Sequence, residues 1–348
     1  MRDYLAVGAT YTPFLMEATL PNHYSPAFST DQYGLRTTLK DGQPLTLDRF
    51  RSPTFQGRRG VLVGNSTAFG VGATSDGTTI PSQLNRSSRL TWFNISGRRY
   101  QSTQELLAYM LYAPTDVAQV VIFSGINNFD YAPRWFQPQQ QLRPPFIRQE
   151  LYQRALQSHY TPQPPPAESR LKQLLRRLLR RPRYSPESTP QRRNFFSAEV
   201  QSHFFPADHS NASYFKHSGF LERSLATLDR DLDRWAHQFK GTGREVIYIL
   251  QPIPEWTNKQ FSPEEKQIFA AMDKIRGVAW QEVSQEMKGM EDIYRSRMAE
   301  LCRTRGIRFF DANSFDWVQK TDWIFIDRYH LTDYGQKTLA AFILDQVG

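Results

Sequence analysis

Short apolar runs alternate along the chain with amphipathic stretches, and that alternation predicts βαβ units around a parallel sheet. The runs Gly60–Gly64, Leu90–Ile95, Val117–Phe123, Glu245–Leu250 and Ile307–Phe310 are rich in β-branched or aromatic residues and bounded by turn formers. Five such runs predict a parallel sheet buried on both faces. Between the second and third, Ser102-Thr103-Gln104-Glu105 reads as a helix start with a carboxylate in its first turn, followed by Leu106, Leu107, Met110 and Leu111 at helical spacing. From about Ser218 to Phe239, Leu221, Leu225, Leu228, Leu232, Trp235 and Phe239 form one apolar stripe. A third helical region runs from about Pro263 to Arg305, where Gly277 and Gly289 predict a kink or two helices. Leu339, Ala340, Phe342, Ile343 and Val347 mark a terminal helix.

Two segments escape this pattern. The first ~55 residues carry no strong periodicity, although Tyr33–Leu39 reads as a strand. Residues 133–216 are too dense in proline for regular structure and read as an insertion. The expected organisation is an N-terminal arm (1–57), a first part of the α/β domain (58–132), a basic proline-rich insertion (133–216) and a second part of that domain (217–348). The fold class expected is a three-layer α/β/α sandwich on a flavodoxin-like five-stranded parallel sheet.

Composition agrees with a packed domain, since 39% of the 348 residues are hydrophobic and 14% aromatic. The net charge of +9 is concentrated. Between 168 and 193, Arg170, Lys172, Arg176, Arg177, Arg180, Arg181, Arg183, Arg192 and Arg193 face only Glu168 and Glu187. Inside that stretch Leu171, Leu174, Leu175, Leu178 and Leu179 recur at helical spacing, which predicts a short cationic amphipathic helix. Its leucines either pack on the parent domain or meet an anionic surface or acidic partner. Nucleic-acid binding rests on charge alone, because no recognised motif accompanies it. Cys302 is the single cysteine, so no internal disulfide forms, and it reads as a buried small hydrophobe. The N-terminus lacks a signal-peptide pattern and no run reaches the length of a membrane span, so the expected location is cytoplasmic.

The first predicted strand runs into Gly64-Asn65-Ser66-Thr67-Ala68-Phe69-Gly70-Val71-Gly72, which places a serine where a parallel strand turns into the next element. Strand carboxyl ends face the ligand crevice in such sheets. A phosphate-binding turn is disfavoured by the missing Walker lysine, and a dinucleotide site by the incomplete glycine pattern. A serine nucleophile needs a base, and the base needs a partner that fixes its tautomer. Asp327-Arg328-Tyr329-His330 supplies both at a spacing that folds back on itself. An oxyanion needs preorganised donors, and Gly97 and Asn127 follow the second and third strands. Taken singly, Gly97 reads as a turn glycine and Asn127 as an Asx turn.

Taken in order, the blocks Gly64-Asn65-Ser66, Gly97, Gly125-Ile126-Asn127-Asn128 and Asp327 to His330 make the chain resemble the SGNH (GDSL-like) hydrolase family over about residues 59–128 and 244–346. The resemblance implies a triad of Ser66, His330 and Asp327. It also implies an oxyanion hole from Ser66, Gly97 and Asn127, no cofactor, and an ester substrate such as an acylated carbohydrate or lipid. Hydrolysis and acyl transfer share these residues. A silent binding protein that works through its basic insertion is the reading from another class. Asn65 and Asn128 depart from the family's aspartates, which predicts a less negative site suited to an anionic substrate. Tyr131, Trp135 and Phe136 are placed to line a pocket, or equally to form a core patch. His203, Asp208 and His209 match no standard metal-ligand spacing.

Overall fold

The computed structural model describes residues 2–129, 220–276 and 285–347. The basic helix of 171–179 and the aromatic trio Tyr131, Trp135 and Phe136 therefore lie outside the described residues, as do His203, Asp208, His209 and Gly277.

The arm holds helix α1 (Arg2–Ala6), a hairpin of β1 (Ala9–Thr10) and β2 (Ala18–Thr19), a second hairpin of β3 (Thr38–Lys40) and β4 (Gln43–Leu45), and α2 (Leu47–Arg51). The strand expected over Tyr33–Leu39 is not continuous. Gly34 turns with φ +78°, Thr30 and Arg36 form an isolated bridge, and only Thr38 and Leu39 join a strand. The arm lacks periodicity because its elements are too short to show any. It is anchored instead by buried apolar residues such as Leu15, Phe28 and Phe50, and by Arg36, which is fully buried. The Arg36 guanidinium donates to Asp76 (2.7 Å), to the Tyr4 hydroxyl (2.6 Å), and to the carbonyls of Gly70 and Ala27 (3.0 Å each). A buried charge is tolerable when its donors are satisfied in this way.

The central sheet contains β5 (Arg59–Gly64), β6 (Thr91–Ser96), β7 (Val117–Ser124), β8 (Glu245–Leu250) and β9 (Arg308–Asp311). All pairings are parallel and the spatial order is β6-β5-β7-β8-β9. In chain order this is 2-1-3-4-5, so the chain reverses direction across the sheet between β5 and β7, which is where ligands bind in such sheets.

The connecting helices are α3 (Ser66–Phe69), α4 (Ile80–Leu84), α5 (Ser102–Tyr112), α6 (Phe220–Phe239), α7 (Pro263–Arg276), α8 (Glu291–Arg303) and α9 (Asp333–Val347). Alternate strand residues enter two separate cores. Val61, Val63, Val120, Ile122 and Tyr248 pack with Leu106 of α5, Leu228 and Trp235 of α6, and Met298 and Cys302 of α8. Leu62, Trp92, Val121, Phe123 and Ile249 pack on the other face with Leu84 of α4, Phe269 of α7, and Leu339 and Ile343 of α9. The result is a three-layer α/β/α sandwich. Cys302 is fully buried. A turn at Gly289 separates the helical residues 285–288 from α8. No helix among the described residues is long and apolar enough to cross a membrane.

Candidate active site

Ser66 is the first residue of α3, two positions beyond the end of β5. Asn65 caps that helix, its side chain accepting from Thr67 N–H at 2.9 Å while its own backbone stays extended. Gly64 is required by close approach, because a Cβ there would run into the Phe123 carbonyl oxygen and the Ala68 methyl. The turn therefore presses directly on β7 and leaves Ser66 only partly buried.

The histidine loop reaches Ser66 from the far end of the chain. Residues 325–331 close on themselves through an antiparallel bridge between Phe325 and Leu331, with Ile326 N–H donating to His330 O at 3.0 Å. His330 Nε2 lies 2.8 Å from Ser66 Oγ, and His330 Nδ1 lies 2.6 Å from Asp327 Oδ2. The other Asp327 oxygen accepts from the Tyr329 and His330 backbone N–H groups at 2.8 Å each. Burial alone would raise the Asp327 carboxyl. The His330 imidazolium and these hydrogen bonds outweigh it, bringing the pKa from 3.8 to about 2. Asp327 is thus held as a carboxylate that keeps the Nδ1 proton and leaves Nε2 for the serine.

The loop is secured on three sides. Arg328 turns away from the site to Glu255 (3.0 Å) and Asp273 (2.8 Å). Glu265 is fully buried and accepts from Ile324 N–H and Phe325 N–H at 2.9 Å each, while its second oxygen lies 3.2 Å from the equally buried Lys259 ammonium. The third tie runs straight to the serine turn. Thr67 Oγ1 donates to Tyr329 O at 3.0 Å, and Gln251 Nε2 donates to Thr67 Oγ1 (3.2 Å) and Tyr329 O (3.5 Å). Gln251 Oε1 accepts from the Asn65 amide at 2.5 Å. Sequence reading missed Gln251. Its signal was a polar residue placed immediately after the β8 run, at the same sheet edge as Ser66.

Gly97 and Asn127 lie at that edge too, since Gly64 pairs with Ser96 on one side and Phe123 on the other. The Gly97 N–H donates to Gly64 O at 3.1 Å, extending the ladder. A Cβ on Gly97 would collide with the Tyr100 ring. Tyr100 in turn accepts one Asn127 amide proton on its carbonyl at 2.7 Å, leaving the second amide proton uncommitted by that bond. Among the described residues none accepts from the Ser66 N–H.

The two asparagines that replace family aspartates occupy different surroundings. Asn65 sits in the serine turn, whereas Asn128 accepts from Ser102 N–H (2.9 Å) and donates to Ser102 Oγ (2.8 Å) at the start of α5. Ser102 Oγ passes its proton to Asp231 at 2.7 Å. A charge at position 128 would meet this helix start first. No group of three or more His, Cys, Asp or Glu among the described residues is arranged to hold a metal ion.

No family model matches the chain, and no curated protein sequence matches it. Among solved structures it is similar to an extracellular lipase from Streptomyces rimosus, at 13% identity and TM-score 0.45, over 84% of this chain and all of that one. It is likewise similar to phospholipase A1 from Streptomyces albidoflavus, at 12% identity and TM-score 0.43, over 84% and 100% of the two chains. An acetyl xylan esterase is similar at 10% identity and TM-score 0.41, over 83% and 100%.

Proposed function

We propose that the chain is a serine-dependent ester hydrolase of the SGNH type. The observation that carries this reading is the unbroken Asp327–His330–Ser66 relay, with contacts of 2.6 and 2.8 Å, the second joining residues 264 positions apart. As Ser66 Oγ attacks an ester carbonyl, His330 Nε2 takes its proton and the carbonyl π pair moves onto oxygen. Asp327 stabilises the imidazolium that forms. The Ser66 N–H and the second Asn127 amide proton are the donors available to that oxyanion. The Gly97 N–H, which already donates to Gly64 O, joins them only by sharing that proton with the oxyanion. Collapse of the intermediate breaks the carbon–alkoxy bond, and His330 returns the proton to the departing alcohol. Water, deprotonated by the same histidine, attacks the acyl group on Ser66; the acyl–Oγ bond then breaks, His330 returns the proton to Ser66 Oγ, and the acid is released.

Intact-mass analysis after treatment with a fluorophosphonate tests this reading. One adduct is expected on wild type and none on Ser66→Ala. An unmodified wild type, or equal labelling of the variant, would refute it. Short-chain aryl esters, acylated sugars and lipid esters then form the substrate panel, and an added alcohol acceptor separates hydrolysis from transfer.

A further inference from the structure

The helix start read from Ser102-Thr103-Gln104-Glu105 places a carboxylate in the first turn, where it would ordinarily reach solvent and face the helix dipole. Glu105 keeps its place in that first turn but does not reach solvent. It is 1% exposed, and its Oε1 accepts from Ser124 Oγ at 2.5 Å. Ser124 is the last residue of β7 and begins the segment Ser124-Gly125-Ile126-Asn127. Two tyrosines enclose the same spot. Tyr294 of α8 donates to Gly125 O at 2.6 Å, and the Tyr248 hydroxyl of β8 is buried beside Ser124. A Cβ on Gly125 would come within 3.1 Å of that hydroxyl. The segment that presents Asn127 is therefore floored by one carboxyl and two phenols.

We propose that Glu105 is a positioning residue for the oxyanion side of the site. As a neutral acid it fixes Ser124 and the turn to Asn127, and the charge it gains on deprotonation opposes the oxyanion forming above. The inference rests on the serine-dependent reading given above.

The groups around Glu105 make it the one that changes state near neutrality. Burial pushes its pKa up to about 8, opposed by the Ser124 hydrogen bond and reinforced by Asp231 of α6. Asp231 is itself bonded by Ser102, Thr103 and Arg230. Burial drives both Tyr248 and Tyr294 far above the ordinary phenol range, and Cys302 of α8 to about 12. Among the described residues no basic side chain bonds Glu105, so its charge, once formed, meets the Ser124 hydroxyl but no cation. A negative charge beneath the segment that carries Asn127 raises the cost of forming an oxyanion there.

The test is the pH dependence of fluorophosphonate labelling at Ser66, because phosphonylation also builds negative charge on an oxygen in the hole. In wild type the rate should fall several-fold through about pH 8. Glu105→Gln should show no such fall. Ser124→Ala should keep the fall but move it to higher pH, since the bond it loses favours the charged carboxylate. Circular dichroism melts at each pH establish that the fall is not unfolding, and Ser124→Ala decides the matter if Glu105→Gln does not fold. The same alkaline fall in wild type and Glu105→Gln, or no fall in wild type, would overturn the inference while leaving the serine reading intact. A Ser66 that never labels removes both.

Discussion

Replacing Asp327 by asparagine separates the two things this residue does. The carboxyl is held at about 2 against an ordinary 3.8, and its side chain is only 11% exposed, so little of the effect is lost to solvent screening. At 1.36 kcal/mol per pH unit, the depression is worth about 2–3 kcal/mol of folding free energy. The folded-state pKa lies below the unfolded one. The contribution is therefore complete above about pH 4 and disappears as pH falls through about 2. Asparagine has no such term, so the stability gap between wild type and Asp327→Asn should be widest near neutrality and close in acid, as followed by urea denaturation at several pH values. The second effect is on the imidazole. The asparagine carbonyl can still accept from Tyr329 and His330 N–H, which turns its NH₂ toward Nδ1. His330 must then present a lone pair at Nδ1 and carry its proton on Nε2, facing Ser66 with the wrong tautomer. Aryl-ester turnover or fluorophosphonate labelling should fall by ~10³–10⁴ with the fold retained. A variant within tenfold of wild type, or a stability gap that persists unchanged to about pH 2, would refute this account of Asp327.

Glu105→Gln should be more stable than wild type at neutral pH. A carboxyl shifted from 4.5 to about 8 favours the folded state fully only below about pH 4.5 and loses that advantage as pH rises to about 8. The melting-temperature gap should open over that window, worth about 3 kcal/mol by pH 7. Lys259→Met leaves Glu265 buried without its cation and should cost about 3–5 kcal/mol in urea denaturation, part of which Lys259→Met with Glu265→Gln recovers. Asn128→Asp sets a second carboxylate against Ser102 Oγ, whose proton already goes to Asp231, and should lower stability by about 1–3 kcal/mol in a thermal melt without changing preference between anionic and neutral esters. Gly97→Ala displaces the Tyr100 ring and, through its carbonyl, the Asn127 amide, so kcat should fall by ~10²-fold or more while KM changes little.

Much of the fold was legible because the signals that build it are local. The five strands stand within a residue or two of the runs that predict them, and β8 coincides with Glu245–Leu250. Gly289 breaks the third helical region as expected. Ser66 and His330 were legible for another reason, since proton transfer restricts which residue types can serve and the fold restricts where they fall. Gln251, Glu105 and Arg36 were not. A glutamine after a strand, a glutamate in a first turn and an arginine in an arm are each ordinary on a surface. Their meaning arises only when residues up to 186 positions away bury them and supply their partners. The surroundings of Asn128 were not legible either. Adjacency in sequence to Asn127 placed it at the site, whereas its side chain belongs to the start of α5.

The ties from Thr67 and Gln251 to Tyr329 O bypass the Ser66 hydroxyl altogether. Deleting that oxygen should therefore silence the cleft without loosening its walls, leaving Ser66→Ala as a bait. Incubated with complex lipid or glycan extracts and washed, such a protein would retain uncleaved what the working form consumes, and mass spectrometry of the eluate would read the natural ester directly.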